Sequence, residues 1–284
     1  MKEISVDVGL GGGRLLQIAN RTSKQMMGYL VECPDGRLIM IDGGNSFEEE
    51  AENLYEMIRQ RGGRVELWLF THAHCDHNGT FNYLLENREK YPIEIGEVAF
   101  CFPEREWLEV REDWDENRRF FALLESRALK VHTLTAGEVI SCHGIDIKII
   151  SVPRDYEGYA RINPTSVIMK LSFPKREVLF LADFDQNAEE EFYRYHSKDE
   201  LKCDIVQMAH HGQGGVSEEF YSHICPKICL YPAPKWLWEN NLYRCDDPAT
   251  VGKGPFTTLQ TREWMERLGA EASYSQADGD VWLF

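Results

Sequence analysis

At 284 residues the length alone suggests about two domains, yet no Pro/Gly/Ser-rich linker or charge run divides the chain, and one α/β domain over residues 1–284 is expected. A content of 43% apolar and 12% aromatic residues can fill a sizeable core and excludes a disordered chain. A formal charge of −16 argues against strong binding to nucleic acid, because phosphate contacts call for a basic surface.

No apolar run is long enough to cross a bilayer, and Met1-Lys2-Glu3-Ile4 opens no signal-peptide core, so a cytoplasmic protein without membrane contact is expected. The cysteines at 33, 75, 101, 142, 203, 225, 229 and 245 are scattered singly, which reads as reduced and mostly buried thiols.

Residues 4–8 alternate like a strand and run into Gly9-Leu10-Gly11-Gly12-Gly13. No GK[ST] and no helical pattern follow, so the glycines read as a hairpin loop rather than a phosphate cradle. Residues 27–33 and 37–42 form an expected hairpin around Pro34-Asp35-Gly36. Ser46 and Glu49 have capping-box spacing, and Ala51, Leu54, Tyr55 and Ile58 share a helical face up to Gly62-Gly63.

The apolar run Leu67-Trp68-Leu69-Phe70 reads as a buried strand, residues 81–89 as the next helix and 97–102 as a further strand. Over 104–130, Trp107, Trp114, Phe120, Phe121, Leu123 and Leu124 mark one or two amphipathic helices that cover the sheet. Residues 131–152 are β-rich with a turn at Cys142-His143-Gly144, which leaves His132 and His143 solvated.

A second series opens at Asn163-Pro164-Thr165-Ser166. Strands over 167–173 and 178–181 flank Pro174-Lys175, and Asp183 emerges just past the second, where α/β enzymes place working residues. An acidic helix over 187–195 reads as a solvated cover. Strand 203–208 delivers His210-His211-Gly212, with a strand at 228–231 and a helix at 258–268 beyond it, while His196 and His223 fall on helices and take no role. The stretch 232–244, rich in aromatics and carrying Lys235 and Arg244, is either a substrate-facing lid or a hydrophobic anchor for the chain end.

Directly after the 67–70 strand, Thr71-His72-Ala73-His74-Cys75-Asp76-His77-Asn78-Gly79 packs three imidazoles and a carboxylate into six residues. In extended chain, alternate side chains share a face, so His72 and His74 can reach one ion together. Asp76 and His77 are adjacent and leave on different bearings; if a helix starts after Asn78-Gly79 they can face a second ion. Side by side without an ion, these groups would be buried polar atoms in search of partners. Imidazole and carboxylate suit Zn2+, with Mn2+ or Fe as further occupants. Cys75 has the opposite strand parity and reads as packing. His210 and His211 cannot point the same way: His211 is read as a metal ligand and His210 as the group that stabilises substrate or donates a proton, with the reverse assignment open.

His72-x-His74-x-Asp76-His77 is similar to the signature of the metallo-β-lactamase-fold hydrolases. Ile39-Met40-Ile41-Asp42-Gly43-Gly44 resembles the strand before that motif, and Leu179-Phe180-Leu181-Ala182-Asp183 the strand that delivers a bridging aspartate. Met208-Ala209-His210-His211-Gly212 resembles the last histidine motif of the branch containing the hydrolase domain of bacterial competence DNA-uptake channels and choline-phosphate esterases. Tyr274-Ser275-Gln276-Ala277-Asp278-Gly279-Asp280-Val281 resembles the terminal hairpin of that domain.

The resemblance implies a four-layer αββα sandwich, Asp42 as support beneath the metal site, and Asp183 rather than Asp185 as the bridge. The chain departs from the pattern at Ile149-Ile150-Ser151-Val152-Pro153, where the family supplies a third histidine to the first ion, and at Gly254-Pro255, where the branch carries His-Pro. The first ion is then held by His72, His74, Asp183 and solvent, or binds weakly.

Two cations a few ångström apart lower the pKa of a bridging water towards neutrality and polarise the scissile group. The expected function is therefore a metal-dependent hydrolase with two Zn2+ ions. His72, His74, Asp76, His77, Asp183 and His211 are the ligands, and Asp76 and His210 the catalytic groups. A small-molecule phosphoester is the first substrate class, and lactones, thioesters or amides the alternative. A metal-binding protein of redox or binding type is the reading from another class. Nothing in the sequence specifies an oligomeric state.

Overall fold

The apolar runs become the strands of two stacked sheets in a computed structural model that describes residues 2–284. The first sheet contains β1 (Glu3–Val6), β2 (Arg14–Gln17), β3 (Gly28–Glu32), β4 (Leu38–Asp42), β5 (Arg64–Phe70), β6 (Glu94–Phe100) and β7 (Val131–Thr133). The second contains β8 (Val139–Cys142), β9 (Ile145–Ser151), β10 (Ile168–Ser172), β11 (Glu177–Phe180), β12 (Ile205–Gln207), β13 (Ile228–Tyr231) and β14 (Ala272–Ser275). The last strand, β15 (Asp280–Leu283), returns to the first sheet, whose order is β1-β15-β2-β3-β4-β5-β6-β7; the second runs β14-β13-β12-β11-β10-β9-β8.

Alternation along β4 and β5 explains the layering. Ile39, Ile41, Leu67 and Leu69 face Ile147, Ile149, Val178 and Phe180 of the other sheet. Their neighbours Leu38, Met40, Trp68 and Phe70 face outwards. There they are covered by α1 (Glu48–Arg59), α2 (Cys75–Glu86), α3 (Arg105–Leu108) and α4 (Trp114–Ser126), which contribute Leu54, Phe81, Leu108 and Phe120. The outer face of the second sheet carries Leu179, Val206 and Cys229 under α5 (Gln186–Tyr195), α6 (Glu218–Ile224), α7 (Lys235–Trp238) and α8 (Thr258–Arg267). Strands buried on both faces read as continuous apolar runs. Each fully buried Leu, Ile or Phe contributes roughly 1.5–3 kcal/mol. The result is the expected four-layer αββα sandwich. Among the described residues, no helix is long and apolar enough to cross a membrane.

Several local expectations change. The helix expected over 81–89 begins inside the histidine motif, at Cys75. Helix α1 has Phe47 at its N-cap with no side-chain cap, so the Ser46/Glu49 box does not form; the acids Glu48, Glu49 and Glu50 in its first turn complement the helix dipole instead. The glycine run at 9–13 is not a hairpin loop, because β15 lies between β1 and β2, parallel to the first and antiparallel to the second. Nor do the closing residues form a hairpin: β14 pairs with β13 in one sheet and β15 with β1 and β2 in the other. Local pattern reports strand character but not which distant strand supplies the partner. His196 lies at the C-cap of α5 rather than within a helix.

Candidate metal centre

Strand β5 ends at Phe70 and delivers the motif at the rim shared by the two sheets. Thr71 donates its backbone N–H and its hydroxyl to the Asp42 carboxylate, at 2.9 and 2.7 Å. Trp68 donates its indole N–H to the Asp42 carbonyl at 2.9 Å, so Asp42 is fixed from both ends. The same carboxylate receives Nδ1 of His77 at 2.7 Å, which turns Nε2 of that ring towards the centre. A carboxylate behind an imidazole is the arrangement that orients a metal-ligating histidine and raises its basicity.

Helix α2 starts within the motif because its first turn is braced by other elements. The Cys75 N–H is accepted by Asp113 at 3.0 Å, and Asn117 of α4 donates to the Ala73 carbonyl at 2.8 Å. Gly79 permits the close approach of the 44–46 loop, since a Cβ there would lie 2.5 Å from the Ser46 nitrogen.

The second sheet brings the other residues. Gln207 at the end of β12 accepts from the N–H groups of Leu181 and Ala182 and donates to the Ala182 and Met208 carbonyls. This bracket holds the chain past β11, where Ala182 adopts φ 50°, and presents Asp183. His210 and His211 follow with φ of 48° and 56°, and the Pro232 carbonyl accepts Nδ1–H of His211 at 2.8 Å. Gly212 continues at φ 81° against the ring of Tyr231, where a Cβ would sit 2.3 Å from ring carbon.

All seven residues singled out from the sequence converge. Nε2 of His77 lies 3.4 Å from Asp183 and 3.9 Å from Asp76. Nε2 of His211 lies 3.1 Å from Asp76 and 3.5 Å from Asp183. His72 Nε2 is 3.8 Å from Asp183 and 3.1 Å from Nδ1 of His74. His210 Nε2 stands 3.9 Å from Asp183, its side chain still 22% exposed.

Among the described residues, two sets have ligand atoms all within 4.8 Å of one another: His72, His77 and Asp183, and Asp76, His77 and His211. His74 flanks the first through His72 and turns Nε2 to Glu112 at 3.3 Å. Asp185, the rival to Asp183, instead caps α5 by accepting from the Asn187 N–H at 2.9 Å. Cys75 belongs to neither set.

The donor set fits divalent cations on a physical test. Nε2 of His77, Nε2 of His211 and Oδ1 of Asp183 are buried without a hydrogen-bond partner, and such orphans are rare unless a ligand satisfies them. Burial opposes ionisation of Asp76 and Asp183, yet the facing imidazoles hold both carboxyls below their ordinary range. Burial pushes His72 well down, towards the neutral form that binds metal. For His77 burial also lowers the pKa, but Asp42, Asp183 and Asp76 outweigh it and raise it, which reports a surplus of negative charge that cations would balance.

The Metallo-beta-lactamase superfamily profile matches residues 27–224, a span that contains every residue of this centre. The chain belongs to that superfamily. Among solved structures, this superfamily member is similar to the metallo-beta-lactamase fold protein YhfI from Bacillus subtilis. That likeness has a TM-score of 0.56 at 10% identity and covers 94% of this chain and 98% of that one. It is similar to CmlA, a diiron beta-hydroxylase from Streptomyces venezuelae, with a TM-score of 0.58 at 16% identity, covering 92% of this chain and 52% of that one. It is also similar to Zn(2+)-bound PqqB from Methylobacterium extorquens, with a TM-score of 0.50 at 12% identity, covering 88% and 85%. At such identities the likeness carries the fold alone. No curated protein matches the sequence.

A cavity of about 630 Å³ adjoins the centre of this superfamily member, lined by His74, Asp76 and His210 and by residues that sequence reasoning passed over, among them Glu112, Asp113, Arg161 and Asn163. Glu112 and Asp113 fall in the 104–130 segment read as a cover on the sheet, and Arg161 in an aperiodic stretch, where a charged residue reads as solvated surface. Residues of the stretch 232–244 pack into the fold and also border the cavity. Trp236 and Leu237 anchor in the outer core of the second sheet, while Trp236 and Arg244 also line the cavity.

Proposed function

We propose that this chain is a metal-dependent hydrolase acting on a small molecule, with residues 1–284 working as one cytoplasmic domain. The observation that carries the reading is the set of unpartnered buried ligand atoms on His77, His211 and Asp183 beside the ionised Asp76. His72, His74 and Asp183 would hold one cation and Asp76, His77 and His211 a second, with Asp183 also near His77 and His211. Zn2+ is the preferred ion, and Mn2+ or Fe also suit these donors. Divalent cations held there supply Lewis acidity and lower the pKa of bound water towards neutrality.

The rest is done by the protein. Asp76 accepts a hydrogen bond from the attacking water and orients it. His210, half-buried at the cavity wall, donates to the charge that develops on the substrate. Asp42 fixes the ring of His77. Phosphoester cleavage is the proposed reaction, because the His210-His211-Gly212 motif resembles the competence-channel and phosphocholine-esterase branch. A lactone, thioester or amide is the same-class rival.

The test is turnover of bis-aryl phosphate, lactone and thioester probes by the full chain after loading with zinc or manganese. His72→Ala and Asp183→Ala should each lower turnover by about a thousandfold with an unchanged circular dichroism spectrum, since the metal term is worth several kcal/mol of barrier. Equal activity in both variants discards the mechanism. Metal bound without hydrolysis of any probe favours a non-hydrolytic metal protein.

A further inference from the structure

Three cations line the cavity beside the metal centre, Lys24, Arg161 and Arg244, and all three are exposed. Among the described residues none of them has a carboxylate partner in an ion pair. That is uneven in a chain of net charge −16. Elsewhere its surface cations are largely paired, as Arg37 is with Glu66, Arg176 with Asp204 and Arg267 with Glu218. The acids on the same wall are already engaged: Glu112 with His74 and the Ile162 N–H, Asp113 with the Cys75 N–H.

Arg244 is also held in position. Its guanidinium lies over the rings of Trp236 and Phe256, 5.6 and 5.7 Å from their centres, and Trp236 is pinned by its indole N–H to the Ser23 carbonyl at 2.7 Å. Tyr243 and Arg244 both adopt positive φ, 65° and 52°. Consecutive left-handed residues persist where the surroundings over-determine them.

Asn163 supplies an independent observation. It is 5% exposed, lines the same cavity, and its buried Oδ1 has no partner. With Oδ1 shut away, the amide N–H of Asn163 is the polar group it leaves to the cavity that Arg161 and Arg244 also line, a donor that suits an anion.

We propose that Arg161, Arg244 and Lys24 form an anion subsite, and that the substrate carries a second anionic group, a carboxylate or a phosphate, separate from the group that is cleaved. The inference rests on the hydrolase reading and names its substrate class. The cavity, about 630 Å³, lies within the usual span of small-molecule sites. Arg presents a fork that matches either anion in bidentate fashion, which makes the two guanidiniums the specificity-determining groups and Lys24 a supporting charge.

The experiment reads affinity, not turnover. The zinc-loaded full chain is titrated calorimetrically with ethylphosphonate, which has one anionic group, with 3-phosphonopropionate, which adds a carboxylate, and with ethylene-1,2-diphosphonate, which adds a second phosphonate. At least one doubly anionic probe should bind about tenfold tighter than ethylphosphonate, and the better of the two identifies the anion. Arg161→Gln and Arg244→Gln should each reduce that preference and together abolish it, with the circular dichroism spectrum unchanged.

Equal affinity for all three probes, no binding of any, or a preference that survives the double variant overturns the subsite. A chain that shows the preference and hydrolyses nothing overturns the hydrolase reading alone. A chain that hydrolyses without the preference overturns the subsite alone.

Discussion

The centre depends on a few side chains whose partners fix a proton or an orientation. Asp42 takes three donors, from Thr71 twice and His77 once, and the last of these orients the ring of His77. Glu50 shows the same economy away from the site. Its Oε1 accepts from the N–H groups of Arg21 and Thr22 and from the Thr22 hydroxyl, and burial raises its pKa above the ordinary 4.5 despite those bonds. A carboxyl with a raised folded-state pKa contributes stability that is complete below the unfolded value and is lost as pH rises through the folded one. Glu50→Gln keeps the accepting oxygen and removes the titration. The urea midpoint of the wild type should therefore fall relative to the variant as pH rises from below 4.5 towards neutrality; a difference constant across that range contradicts the reading.

At the scale of elements, the loops that follow β11 and β12 work as a pair. Gln207 satisfies two N–H groups and two carbonyls where the chain leaves both strands, and without it Asp183 loses its platform. Gln207→Leu leaves those buried groups unmatched and should destabilise the fold by about 3 kcal/mol. Chemical denaturation together with zinc retention checks this, and a variant as stable and as metal-retentive as the wild type refutes the role.

The elements also show what the sequence disclosed. Strands β4 and β5 were legible because Leu38–Ile41 and Leu67–Phe70 are buried on both faces and run apolar without interruption. The start of α2 was not, since His, Asp, Asn and Gly are weak helix formers and the first turn is braced by Asp113 and Asn117 at the start of α4. The Ser46/Glu49 spacing matched a local rule that the 44–46 loop, packed on Gly79, overrides. Arg161 and Asn163 carried no signal, because only tertiary placement sets them beside the motif.

Across the whole molecule, the two sheets meet so that the loop after β5 in one and the loops after β11 and β12 in the other converge on one rim. The histidine motif and Asp183 were readable singly from their place at strand ends, but their distance from one another was not, because it follows from the pairing of sheets through a shared core. The return of β15 between β1 and β2 is a further consequence of that long-range pairing.

The central claim is that this shared rim binds cations. The most direct measurement is the metal content, by mass spectrometry, of the full chain and of Asp183→Ala after saturation with zinc and removal of free ion. About two zinc ions per wild-type chain, with marked loss in the variant, is the expected result. A wild type that retains no zinc, or a variant that retains as much as the wild type, contradicts it.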